Sequence, residues 1–193
     1  MFKTIGILAH VDAGKTTFSE QLLYHMEAIR TRGRVDHQDA FLDSHDIEKN
    51  RGITVFADQA VFRHNGTEYT LIDTPGHVDF SPEMERAIRV MDAAILVVSA
   101  ADGVEGHTET VWDLLRKHGV PTFIFINKTD REGADRETAL TEIRKSLSED
   151  AVLLDDGLTP DVIEWLAERV KRFLSITLRK ASMRKFGSGP CAA

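Results

Sequence analysis

With 193 residues, 42% of them hydrophobic and 28% charged, the chain suits one globular domain with a real core rather than a disordered segment. A formal charge of −7 argues against bulk electrostatic attraction to nucleic acid, so any RNA contact must be local. The single cysteine, Cys191, forms no internal disulfide, no apolar run approaches a bilayer's span, and residues 5–9 are too short for a signal peptide, which together predict a cytoplasmic protein without membrane contact.

Residues 4–17 read as a short apolar strand, a tight loop and a helix start. Such a loop can wrap an anion with backbone N–H groups, and the helix N-terminus adds a favourable dipole. Ala9, His10, Val11, Asp12, Ala13, Gly14, Lys15, Thr16 and Thr17 then form a phosphate-binding loop. Lys15 would neutralise β/γ-phosphate charge and Thr16 would ligate Mg²⁺. The spacing fits the Walker A pattern except that Ala9 stands where the first Gly is usual. A plain strand-to-helix turn is the competing reading of this stretch alone.

Phe18, Leu22, Met26 and Ile29 recur at helical spacing, which predicts a helix over residues 16–29 with Ser19, Glu20 and Gln21 facing out. Residues 31–51 lose the pattern and form a long polar segment, of a length that is often functional. A hairpin follows, its strands running through Val61 and over residues 68–72, with Asn65-Gly66 tolerating the positive φ of a tight turn. The second strand runs into Asp73-Thr74-Pro75-Gly76-His77, where an acidic residue and a close-approach Gly suit a metal and γ-phosphate sensor. As a local sequence it also makes an ordinary β-turn.

Ser81-Pro82 starts a helix with Met84, Ala87, Ile88 and Met91 inward, closed by Asp92. Residues 93–98 read as a parallel strand buried on both faces, residues 108–118 as a helix, and residues 122–126 as another buried strand. This alternation predicts an α/β fold: a mostly parallel sheet with one antiparallel strand and helices on both faces. The last strand delivers Asn127-Lys128-Thr129-Asp130 to the same sheet edge as the first loop. There the Asp130 carboxylate can accept from the N1–H and 2-amino group of guanine, a donor pair adenine lacks. Asn127 would brace the neighbouring loops and the base, and the Lys128 stem would lie along the ring face.

These three stretches, with Arg51-Gly52-Ile53-Thr54, resemble the first four G motifs of the translational GTPases, so the chain looks like a P-loop NTPase G domain from Thr4 to about Leu154. Within that family it is most similar to elongation factor G and the tetracycline-resistance ribosomal protection proteins, a subgroup that also shows Ala at the first Walker position. The resemblance implies GTP/GDP and Mg²⁺ as ligands, with Thr16 and Thr54 on the metal and Asp73 acting through a metal-bound water. It also implies a γ-phosphate contact from the Gly76 N–H, a catalytic His77 that orients the attacking water beside a charge-stabilising Lys15, and a monovalent-cation role for Asp12. Thr54 would engage only when GTP orders the 31–54 segment, and phosphate loss would release it. The ribosome is the implied partner, and the chain is expected to be monomeric.

After Leu158 the likeness thins. The expected organisation is a G-domain core over residues 1–155, a helical segment of the same domain over 156–180, and a disordered tail over 181–193. A fifth guanine-pocket motif is not evident, so the chain reads as a truncated G domain. The competing readings are a non-catalytic guanine-nucleotide-binding remnant and an ATP-dependent P-loop enzyme.

Overall fold

The computed structural model describes residues 1–29, 58–74, 81–152 and 154. Two units are distinguished, Met1–Glu149 and Asp150–Ala193, and every element below belongs to the first. In chain order these are β1 (Phe2–Ala9), α1 (Lys15–His25), β2 (Asp58–His64), β3 (Thr67–Asp73), α2 (Ser81–Ile88), β4 (Ala93–Ser99), α3 (Gly106–His118), β5 (Thr122–Asn127) and α4 (Arg136–Ser146). Thr54, Pro75, Gly76 and His77 and the expected helix near Thr159 lie outside the described residues.

The strands form one sheet in the order β2-β3-β1-β4-β5, parallel except for the antiparallel β2–β3 hairpin. This is the α/β arrangement expected of a P-loop G domain. Asn65 and Gly66 both adopt positive φ, 49° and 74°, as the tight hairpin turn requires. Because parallel strands place their C-terminal ends together, Ala9, Asp73, Ser99 and Asn127 share one edge of the sheet. The chain leaves β1 toward β3 on one side and β4 toward β5 on the other, so a crevice opens at that edge between β1 and β4.

Side chains alternate across the pleat and build two apolar layers. Leu8, Ile72, Leu96 and Val98 meet α2 and α3 through Met84, Ile88, Val111 and Leu115. On the other face Ile7, Ala9, Leu71 and Val97 pack with Leu23 of α1. Fully burying a Leu or Ile of this kind contributes roughly 1.5–3 kcal/mol, so the central strands hold the frame.

Four expectations need correction. Ser19 and Glu20 do not face out: they are buried together with Leu23, while Phe18, Leu22 and Met26 are only partly covered. The reason is that α1 packs across the sheet through the face that carries Lys15, Ser19 and Leu23. The same helix stops at His25, where Glu27 takes a left-handed φ of 57° and Ala28 N–H and Glu27 N–H bond to the Leu23 and Tyr24 carbonyls. This is a Schellman ending with Glu in the place glycine usually takes, which the sequence does not advertise.

Nor does Asp92 close the helix that begins at Ser81. α2 ends at Ile88, and Asp92 instead accepts the Thr4 N–H at 2.8 Å while its own N–H bonds to the Thr4 carbonyl. Finally, β5 is an edge strand among the described residues, with Phe123 54% and Phe125 43% exposed, so it is not buried on both faces. Phe125 leans on Phe18 of α1, ring centroids 4.6 Å apart.

One element was not anticipated at all. α4 is capped by Asp135, whose carboxylate accepts the Glu137 and Thr138 N–H groups, and it buries Ala139, Leu140 and Ile143. Those apolar positions at i, i+1 and i+4, following an Asp, are the signal that could have found it.

Helices α2 and α3 are also tied electrostatically. Glu85 accepts from Lys117 and His118 at 3.1 Å each and from Arg89 at 3.4 Å. The hydrogen bonds from Lys117, His118 and Arg89, in that order, lower its pKa from 4.5 to about 2. A carboxylate depressed on folding contributes stability above its unfolded pKa and loses it as pH falls through the folded value. Glu85→Gln should therefore reduce the fall in melting temperature between about pH 5 and pH 2, and the difference should shrink in high salt because Lys117 and Arg89 are exposed.

Candidate functional site

The site is assembled at the sheet edge from the loop between β1 and α1. Asp12 and Gly14 take left-handed φ values of 61° and 94°, and the Ala13 N–H bonds to the His10 carbonyl at 3.2 Å. A side chain at Gly14 would strike the Asn127 amide as well as strain the backbone, so only glycine fits. Ala9 and Ala13 are buried beneath the loop, Val11, Thr16 and His10 are half-buried, and Asp12 and Thr17 are exposed. α1 starts without a side-chain cap and without an acidic residue in its first turn. Its orphan N–H groups and positive dipole end suit an anion.

Directly below sits a buried ion pair. Lys15 Nζ, on the first residue of α1, lies 2.5 Å from Asp73 Oδ2 at the end of β3, and the two residues are 8% and 0% exposed. Ser19 Oγ lies 3.2 Å from Asp73 Oδ1 and 3.0 Å from the Lys15 carbonyl. Thr74 N–H and Oγ–H both donate to the Ile7 carbonyl, which pins the exit of β3 against β1. Charges taken out of water must be paired, so this lysine and carboxylate are held ready but occupied with each other.

From the other side, Asn127 Nδ2 donates to the Ala13 carbonyl at 2.9 Å and so ties the end of β5 to the loop. Lys128 follows with a left-handed φ of 57°, and its ammonium points to Asp102 at 3.9 Å. A hydrogen bond from Ser99 holds the Asp102 carboxyl below its ordinary pKa against the opposing effect of burial, and Lys128 adds attraction. Asp130 is exposed on the turn beyond. Lys15, Asp73 and Asn127 are thus brought onto one loop from three strand ends.

His10 makes a contact that its sequence position does not reveal. Its Nε2 lies 2.9 Å from Glu105 Oε2, at the start of α3, and its ring meets His107 edge-on at 5.9 Å. This joins the loop to the β4 side of the crevice. Ser19 and Glu105 are the contacting residues that sequence reasoning missed. For Ser19 the available signal was its place one helical turn after Lys15.

The donors fit a nucleotide with Mg²⁺. A hydroxyl at Thr16 and a carboxylate at Asp73 are oxygen ligands, as Mg²⁺ prefers, and this ion is usually held by one or two carboxylates plus phosphates rather than by a protein cage. No cluster of three His, Cys, Asp or Glu residues suited to a metal occurs among the described residues.

Residues 2–185 match the family described as the elongation factor Tu GTP binding domain. Curated relatives include the tetracycline resistance protein TetP of Clostridium perfringens, 45% identical over 152 residues that cover 79% of this chain and 23% of that protein. TetM of Ureaplasma urealyticum is 46% identical over 149 residues, 77% of this chain and 23% of that protein. A crystal structure from Thermus thermophilus superposes with a TM-score of 0.72 at 34% identity, covering 77% of this chain and 22% of that one. The chain belongs to the elongation factor Tu GTP-binding-domain family and is a translational GTPase G domain related to the tetracycline resistance proteins. It spans about a quarter of the length of the curated relatives it matches.

Proposed function

We propose that this chain is the GTP-binding and GTP-hydrolysing domain of a ribosome-associated translation factor, acting in the cytoplasm as a GTP/GDP switch. The observation that carries the reading is the buried Lys15–Asp73 pair under an uncapped helix start. An ammonium paired at 2.5 Å with a carboxylate can exchange that partner for phosphate oxygens as nucleotide enters. Asn127 keeps the loop in shape, and Asp130 with the Lys128 stem selects guanine.

In the reaction, water attacks the γ-phosphate of GTP and the products are GDP and inorganic phosphate. Little covalent work falls to the protein, so catalysis is positioning plus charge stabilisation. Lys15 neutralises charge at the β/γ-phosphates, His77 orients the water, and the Gly76 N–H contacts the γ-phosphate. Thr16 and Thr54, with Asp73 through water, would hold Mg²⁺, which would supply charge stabilisation at the phosphates. The organisation proposed is a core over residues 1–155, a helical segment over 156–180 and a tail over 181–193, in a monomer.

The test is binding of a fluorescent GDP analogue, competed by GTP and ATP, beside phosphate release with and without ribosomes. GTP should compete and ATP should not, and release should be slow without ribosomes. His77→Ala should keep binding and lose roughly 10²-fold or more of ribosome-stimulated hydrolysis. Wild-type rates in that variant would remove His77 from the mechanism. Tight GDP binding with no hydrolysis in the parent chain would favour a non-catalytic remnant instead.

A further inference from the structure

Ser19 is fully buried one turn beyond Lys15, and its hydroxyl has one proton and two acceptors within reach. One is the Lys15 carbonyl at 3.0 Å, the i−4 bond that serines in helices commonly make. The other is Asp73 Oδ1 at 3.2 Å, on the carboxylate whose Oδ2 is held by Lys15 Nζ. While the ammonium neutralises Asp73, the carboxylate is a weakened acceptor. Removing the ammonium to phosphate leaves a fully buried anion that has lost its cation, and a donor already beside Oδ1 then gains a charge-assisted bond.

We propose that Ser19 is a positioning residue for Asp73: once Lys15 turns to the nucleotide, the Ser19 hydroxyl holds Oδ1 and aims Oδ2 at the hydrated Mg²⁺. The inference rests on the guanine-nucleotide reading of the site. It makes α1 the common carrier of the phosphate cation, a metal hydroxyl at Thr16 and the donor that orients the acidic residue. A single rigid helix then sets three parts of the site at once.

A purely structural serine would affect folding or nucleotide binding irrespective of metal. A positioning role predicts an effect on Mg²⁺ dependence. The full chain is loaded with fluorescent GDP, and nucleotide dissociation is followed while Mg²⁺ is titrated from chelated to saturating. Ser19→Ala should raise the Mg²⁺ concentration for half-maximal retention about tenfold, as loss of one hydrogen bond to a charged group predicts. Its dissociation rate without Mg²⁺ should match the parent's. Ser19→Thr and Ser19→Val have nearly the same shape and differ in the hydroxyl, so Thr should keep the parent's Mg²⁺ midpoint and Val should shift it, even if the Ala variant folds poorly.

An unshifted midpoint in both Ala and Val, or equal losses with and without Mg²⁺, overturns the positioning role. If the parent chain binds no GDP, the nucleotide-site reading fails and takes this inference with it, whereas GDP retained independently of Mg²⁺ leaves the nucleotide reading standing and overturns the Mg²⁺-directed role of Ser19. A parent that depends on Mg²⁺ beside variants that behave like it leaves that reading intact and removes only Ser19.

Discussion

Lys15→Ala should abolish measurable GDP and GTP binding and destabilise the nucleotide-free protein by about 3–5 kcal/mol, because it leaves Asp73 as a buried charge without its cation. The binding loss follows from removing the phosphate cation at an otherwise intact helix start. The stability loss follows from burial, since Asp73 is 0% exposed and cannot recruit bulk water. The two effects separate in a double variant. Lys15→Met combined with Asp73→Asn removes both charges, so denaturant unfolding should recover most of the lost stability while nucleotide titration still shows no binding. If Lys15→Ala alone bound GDP like the parent, the phosphate role of the loop would be wrong.

Asp130→Asn should weaken GDP binding by roughly 10²–10⁴-fold, as expected for two hydrogen bonds to a carboxylate at about 1.5–3 kcal/mol each. Stability should barely change, because Asp130 is exposed on its turn. On the proposed reading Lys15 serves both the fold and the ligand, and Asp130 only the ligand. A xanthine nucleotide offers a carbonyl where guanine has its 2-amino group, so the Asn amide should bind it better than the parent carboxylate does. Isothermal titration with GDP, XDP and ADP reads all three cases. An unchanged GDP affinity would take Asp130 out of the base pocket and reopen the ATP reading.

Much of the frame was legible before the structure, because parallel strands between covering helices must be apolar on both sides. The 93–98 run and the Asn65-Gly66 turn each carry a local physical signature of that kind, and both stand where expected. The errors fall where neighbours decide. Residues 122–126 look as apolar as a central strand, yet among the described residues β5 lies at the edge, with Phe123 and Phe125 exposed. Ser19 and Glu20 look like a solvent face by polarity, but α1 is turned so that Lys15, Ser19, Glu20 and Leu23 are buried. The end of α1 at Glu27 was hidden because a non-glycine residue takes the left-handed position.

For the site, residue types and spacing along the chain were enough to point to a loop for phosphate, a carboxylate at a strand end and a guanine-reading Asn-Lys-Thr-Asp turn, since each requirement is met within a few consecutive residues. The particular atoms that meet between those stretches belong to tertiary structure alone. The Lys15–Asp73 pair, the Asn127 brace on Ala13 and the Ser19 hydroxyl beside Asp73 join residues 54 to 114 positions apart, and the His10–Glu105 contact is likewise between distant stretches. Such pairs arise because the strand order brings separate strand ends to one edge, and no local pattern of polarity records which buried donor will face which buried carboxylate.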